Sequence, residues 1–160
     1  MRTSPPRWAA DLAARVCAEA GVAVPRLEWL PASSVPKRLR SRRTTYRIAG
    51  LTLDPNRELS AGSTYFGEET IRVWHGTLRA SQRLVLLHEL AHWIVRGFHT
   101  DRFWDEALRL YKRYAPTGLA FAVESEARYR TGALRAAVRA GLVSAADAAT
   151  RPGLQKERLP

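Results

Sequence analysis

Near the start of the chain, Trp8, Leu12 and Val16 recur every four positions between Ser4-Pro5-Pro6 and Gly21. The spacing predicts a helix with prolines in its first turn and a glycine at its C-cap. Val22 to Leu30 is rich in β-favouring apolar residues and contains Pro25, which predicts a short edge strand. From Pro31 to Arg43 the pattern is that of a loop that turns basic. Thr44 to Leu53 predicts a strand with a bulge at Gly50, closed by a turn at Asp54-Pro55-Asn56, and Thr70 to Trp74 predicts another.

Ala80 to Arg96 is different in kind. Between Leu84 and Val95 it is apolar nearly all round, the mark of a helix buried on every side, with Ser81 as a cap and Gly97 as its stop. A second helix is predicted over Asp101 to Ala115, with Thr100 as N-cap and Phe103, Leu108 and Tyr111 facing inward. Pro116-Thr117-Gly118 breaks it. Further helices follow over Leu119 to Arg130 and Ala133 to Ala140, and Ser144 caps a last short one. Strands grouped ahead of helices argue for an α+β fold: an N-terminal helix, a small mixed sheet, the buried helix, then C-terminal helices.

At 160 residues the chain has the length of one domain, expected over 1–150, with a polar, frayed tail over 151–160. Its net charge of +11 favours a polyanionic partner, nucleic acid among them. The single cysteine, Cys17, excludes an intramolecular disulfide and a cysteine zinc ribbon, and is expected in the core. Arg7, Asp11, Arg15 and Glu19 interrupt the N-terminal apolar pattern, so no secretory leader is expected. No apolar run reaches the roughly 18 residues of a membrane span. A cytoplasmic protein without a membrane partner is the expectation; the sequence is silent on oligomeric state.

The buried helix carries polar residues that need a reason. It reads His88-Glu89-Leu90-Ala91-His92, and His99 follows seven residues later. Histidines at i and i+4 share one face, about 6 Å apart along the axis, so their imidazoles can converge on one ion at about 2.1 Å. Glu89 is turned about 100° from His88, beside the ion rather than on it. There it can act as general base on a water whose pKa a bound metal lowers toward about 7. Burying two imidazoles and a carboxylate without a partner is costly, which favours a metal site over a plain core helix. A third ligand is required, and His99 is the nearest candidate, because Gly97 lets the chain turn back.

His-Glu-Leu-Ala-His followed by Gly97-x-His99-x-x-x-Phe103 resembles the SprT-like zinc metalloproteases, including their Wss-type branch. It is also similar to small actinobacterial metallohydrolases of this type. The likeness is specific from about Leu84 to Tyr114, with a strand-then-helix context back to about Thr64. It implies a minimal zincin-like domain, Zn²⁺ held by His88, His92 and His99, Glu89 as catalytic base, and a protein or peptide substrate. It also implies action on DNA-associated proteins. Thr100 stands where that pattern often has glycine, and the chain has no cysteine ribbon of the kind many relatives carry.

Two other readings compete. Glu124 and Glu126, in VESEARYR, resemble the later glutamate ligand of ImmA/IrrE-like metallopeptidases, against their reading as a solvated helix face. A non-catalytic nucleic-acid-binding protein would instead use Lys37, Arg38, Arg40, Arg42, Arg43 and Arg47, set around Tyr46, to hold phosphates. His75 reads as a surface histidine at a strand end. Tyr111, Tyr114 and Tyr129 read as packing residues, with a role at an oxyanion as the alternative. Trp93 and Trp104 are expected to pack the two central helices together. The edge strand beside the motif helix is expected to receive an extended peptide by strand addition.

Overall fold

In a computed structural model that describes residues 4–127 and 131–150, the chain forms an α+β fold. The predicted tail and Tyr129 lie outside the described residues. The first helix, α1, spans Arg7–Ala20, and Gly21 closes it in the left-handed conformation at φ 68°. Its face of Ala9, Leu12, Ala13, Val16 and Cys17 is buried against the centre of the fold.

Three strands form the main sheet: β1 (Arg26–Pro31), β4 (Ala61–Tyr65) and β5 (Thr70–His75). The order is β1-β5-β4, parallel between β1 and β5 and antiparallel between β5 and β4. The expected edge strand is β1, shifted so that Pro25 lies just ahead of it and not within it. The other edge, β4, has no counterpart in the sequence reading. Ala61-Gly62-Ser63-Thr64-Tyr65 lacks the apolar alternation of a half-buried strand, because a helix crosses it closely. A Cβ on Gly62 would come within 2.6 Å of Glu89 Cγ and 2.7 Å of Val85 Cγ1.

The single strand expected over Thr44 to Leu53 is instead a hairpin, β2 (Tyr46–Ile48) and β3 (Leu51–Leu53), which forms its own two-stranded sheet. Its two connecting residues, Ala49 and Gly50, both have positive φ, as the tightest hairpin turns require. Alanine is unusual there, and the Glu124 carboxylate supports it by accepting the Ala49 N–H at 2.8 Å.

The central helix, α2, spans Arg79–Val95. Ser81 does not cap it. It is buried within the first turn, where its hydroxyl accepts the Ser60 N–H at 2.8 Å and ties the helix to the residue before β4. Arg96, in the left-handed conformation, ends the helix one residue ahead of Gly97. The next helix, α3 (Asp101–Tyr114), begins as expected, with the Thr100 side chain accepting the Phe103 N–H. Helices α4 (Leu119–Ala127), α5 (Thr131–Arg139) and α6 (Ala145–Thr150) complete the fold, the last capped by Ser144.

The core surrounds α2. Leu86, Leu87, Leu90 and Ala91 are fully buried together with Ile71 and Val73 of β5 and Phe103, Ala107 and Leu110 of α3. Cys17 lies in this core, and burial pushes its thiol up to about 11. Among the described residues, no helix is long and apolar enough to cross a membrane.

Candidate metal centre

Histidines 88, 92 and 99 meet at the surface end of this core. Each offers a ring nitrogen, and the three atoms lie within 4.8 Å of one another. The Nε2 atom of His99 is 3.0 Å from that of His88 and 3.2 Å from that of His92. Tetrahedral zinc with bonds near 2.1 Å separates its ligand atoms by about 3.4 Å, so the spacing fits a metal ion. The local chain explains the convergence. One turn of α2 stacks His88 and His92, and the left-handed residue Arg96 reverses the chain so that His99 returns over them.

The opposite ring nitrogens are already engaged. His92 Nδ1–H donates to the Gly97 carbonyl at 2.7 Å, and His88 Nδ1–H donates to Glu126 Oε1 at 2.9 Å. With protons on Nδ1, both histidines turn an acceptor Nε2 toward the same point as His99. A cation there suits all three. Aromatic rings fix the imidazole planes: Phe103 stacks on His92 at 4.1 Å, and Trp104 lies nearly parallel to His99 at 5.4 Å.

Glu126 therefore belongs to the centre in a way the sequence did not indicate. It is no solvated residue, with its side chain only 12 % exposed, and it meets His88 on the side away from the Nε2 cluster. Tyr111, wholly buried on α3, donates its hydroxyl to the same Oε1 at 2.8 Å. Burial pushes the Glu126 carboxyl up, but electrostatic attraction to the His88 ring and the hydrogen bonds from His88 and Tyr111 outweigh it and hold the group below the usual carboxylate range. Burial and the neighbouring Glu126 charge push the Tyr111 phenol well up, so Tyr111 serves as a neutral donor to Glu126. Glu124 points elsewhere, to the hairpin turn.

On the other side of α2, Glu89 is 6 % exposed and lies against β4. Its Oε2 accepts the Thr64 hydroxyl at 2.7 Å, and the same hydroxyl lies 3.1 Å from the Glu89 carbonyl oxygen. Burial pushes its carboxyl up, opposed by electrostatic attraction to the His88 ring and by the Thr64 hydrogen bond, and reinforced by Glu126. No protein family, curated protein or solved structure matches this chain. The geometry and chemistry of the residues themselves carry the functional argument.

A cleft of about 440 Å³ opens beside the histidines. His88, Glu89 and His99 line it, together with Gly62 and Val85 and with Arg38 and Arg40 of the basic segment. The six basic residues expected to act together are divided by this arrangement. Arg38 and Arg40 line the cleft, whereas Lys37, Arg42, Arg43 and Arg47 are exposed and do not line it. The basic segment is a fixed wall: Ser41 N–H donates to Asn56 Oδ1 at 3.0 Å, and Asn56 Nδ2 donates back to the Ser41 carbonyl at 3.1 Å.

Two other expectations take a different form. Trp93 faces away from α3, donating its indole N–H to the Ala23 carbonyl at 2.8 Å and stacking on Phe66. His75 is half-buried, stacked on Trp29 at 5.8 Å. Tyr111 packs in the core as expected and in addition donates its hydroxyl to Glu126. The signal missing from the sequence was β4, which brings Gly62 and Thr64 to Glu89.

Proposed function

We propose that this chain is a zinc-dependent metallopeptidase of minimal zincin type. The observation that carries the reading is the meeting of three imidazole Nε2 atoms beside a buried carboxylate that opens into a cleft. His88, His92 and His99 hold Zn²⁺. When bound, zinc supplies Lewis acidity, lowering the pKa of water toward about 7 and polarising a carbonyl.

Glu89 accepts a proton from the attacking water and later passes it to the leaving amine nitrogen. Thr64 fixes the rotamer of Glu89, and Gly62 leaves room for it. Glu126 and the Gly97 carbonyl hold the His88 and His92 rings in the tautomer that ligation needs. The substrate is an extended peptide laid along β4, whose edge away from β5 is unpaired among the described residues and whose Ala61 and Gly62 line the cleft. Protein associated with DNA is one such substrate, given the net charge of +11.

The test is hydrolysis of an unfolded protein by the zinc-loaded chain and by Glu89→Gln. Turnover by the native chain that disappears in Glu89→Gln, with zinc retained, is expected. Equal turnover by both proteins, or none by the native chain with zinc bound, contradicts the reading. The exposed Lys37, Arg42, Arg43 and Arg47 support a second, compatible reading in which the outer face of the arm holds nucleic acid. Its expected sign is an affinity for single-stranded DNA that falls steeply with salt.

A further inference from the structure

The two basic residues that line the cleft have unequal freedom. Arg40 is turned back into its own loop, where Nε donates to the Val35 carbonyl at 3.1 Å and Nη2 to the Ser33 carbonyl at 3.0 Å. It is a staple that shapes the wall. Arg38 is exposed, and its one hydrogen bond among the described residues is a long one of 3.4 Å from Nη2 to the Tyr65 hydroxyl. Among the described residues, no carboxylate pairs with Arg38. Among the described residues, two carboxylates line the cleft, Glu89 and Glu126, and both are engaged, by Thr64 and by Tyr111 and His88.

Tyr65 closes β4, the strand that borders the cleft, so its hydroxyl positions the Arg38 guanidinium beside that strand. Side chains alternate across a strand. Gly62 and Thr64 face Glu89 and α2, which leaves Ala61, Ser63 and Tyr65 on the other face, with Arg38 at its rim. A peptide lying along β4 alternates in the same way and turns every second side chain toward Arg38. A guanidinium that lines a cleft and, among the described residues, engages one donor in a single long hydrogen bond is matched by a carboxylate, which it can bind in a forked, charge-assisted pair.

Resting on the peptidase reading for the position of the peptide, we infer that Arg38 is a specificity-determining residue that selects an acidic side chain on the bound substrate. The class of substrate is an extended peptide with a glutamate or aspartate a short distance from the cleaved bond. A phosphate backbone is the less favoured ligand here, because Arg40 is folded into its loop and Lys37, Arg42, Arg43 and Arg47 lie outside the cleft. Among the described residues, the cleft therefore offers one available guanidinium and no row of cations.

Binding tests this separately from catalysis. The probe is a short fluorescent alanine-based peptide carrying one glutamate walked along its length, paired with the same peptide carrying glutamine. Affinities are read by anisotropy on zinc-supplemented Glu89→Gln protein, on that protein with Arg38→Glu, and on that protein with Arg15→Glu, an equal charge change on the exposed face of α1. The expected result is roughly tenfold tighter binding of glutamate over glutamine at one position, lost in Arg38→Glu and kept in Arg15→Glu. Equal affinity for both peptides overturns the inference, as does the same loss in both charge variants, which would make the preference one of overall charge. Loss of single-stranded DNA binding in Arg38→Glu with peptide affinities unchanged also overturns it, in favour of a phosphate site. A glutamate preference that depends on Arg38 in a chain that cleaves nothing would sustain this inference and sink the peptidase reading.

Discussion

The central helix carries a buried glutamate on its sheet side and meets another on its helical side, and the two are held in contrasting ways. Facing β4, Glu89 has one hydroxyl donor, from Thr64, and burial leaves its carboxyl raised. Facing α3 and α4, the Glu126 carboxylate collects the Tyr111 hydroxyl and the His88 ring N–H on one oxygen and is lowered. A sparsely satisfied carboxylate at a cleft wall can exchange a proton. A carboxylate tied to two donors behind a ring is a support. Both residues sit beside His88, and it is the packing of each side, not the residue type, that separates their work.

The sharpest way to break that contrast is to exchange the two effects by mutation. Glu89→Gln is expected to lower kcat/KM by roughly 10²–10⁴-fold while zinc content stays at the native level. Glu126→Ala is expected to do the reverse in kind: zinc affinity, measured by competition with a chelator, falls by about 10–100-fold because His88 loses its anchor. Similar zinc loss in both variants would erase the distinction between the two sides. Gly62→Ala inserts a Cβ into the space of Glu89 and Val85, and is expected to destabilise the fold by about 1–3 kcal/mol in denaturant unfolding and to depress turnover, with zinc kept.

A smaller effect is expected from Thr64→Val, which removes the one hydroxyl on Glu89 and keeps the side-chain shape. Turnover should fall several-fold, by about the value of one hydrogen bond, with no change in zinc affinity. The smallest is a surface contrast. Glu19 of α1 is exposed, and hydrogen bonding to Arg113 of α3 holds its carboxyl down at about 2. A lowered folded-state value means that its contribution is present above the ordinary carboxylate range and is lost as pH falls through about 2. Because the pair is exposed that contribution is small, so Glu19→Gln should lower stability near neutrality only slightly, and screening by salt should reduce even that difference.

The parts of this fold that were legible in the sequence share one property: a local pattern determined them. Thr100 caps α3 because a hydroxyl two bonds from its backbone can reach the Phe103 N–H, and the periodic run from Leu84 to Val95 makes a buried helix in any packing. His88 and His92 follow from the pitch of that helix alone. The illegible parts depend on contacts distant in sequence. The composition of β4 is set by the helix that crosses it, so Gly62 and Ser63 look like a loop when read alone. The hairpin at Ala49-Gly50 is completed by Glu124, 75 residues away. From the sequence Glu126 is either a later ligand or a solvated residue, and only the approach of Tyr111 and His88 shows it hydrogen-bonded behind the His88 ring. The basic arm was visible as charge, but the turning of Arg40 into its loop was not.

The most direct measurement is zinc per chain, by elemental mass spectrometry, on the native protein, His99→Ala and Glu126→Gln prepared side by side. The account predicts about one zinc in the native chain, a sharp loss in His99→Ala, and near-native content with weakened affinity in Glu126→Gln. Full zinc in His99→Ala together with loss in Glu126→Gln would contradict it, making Glu126 the ligand and His99 a bystander.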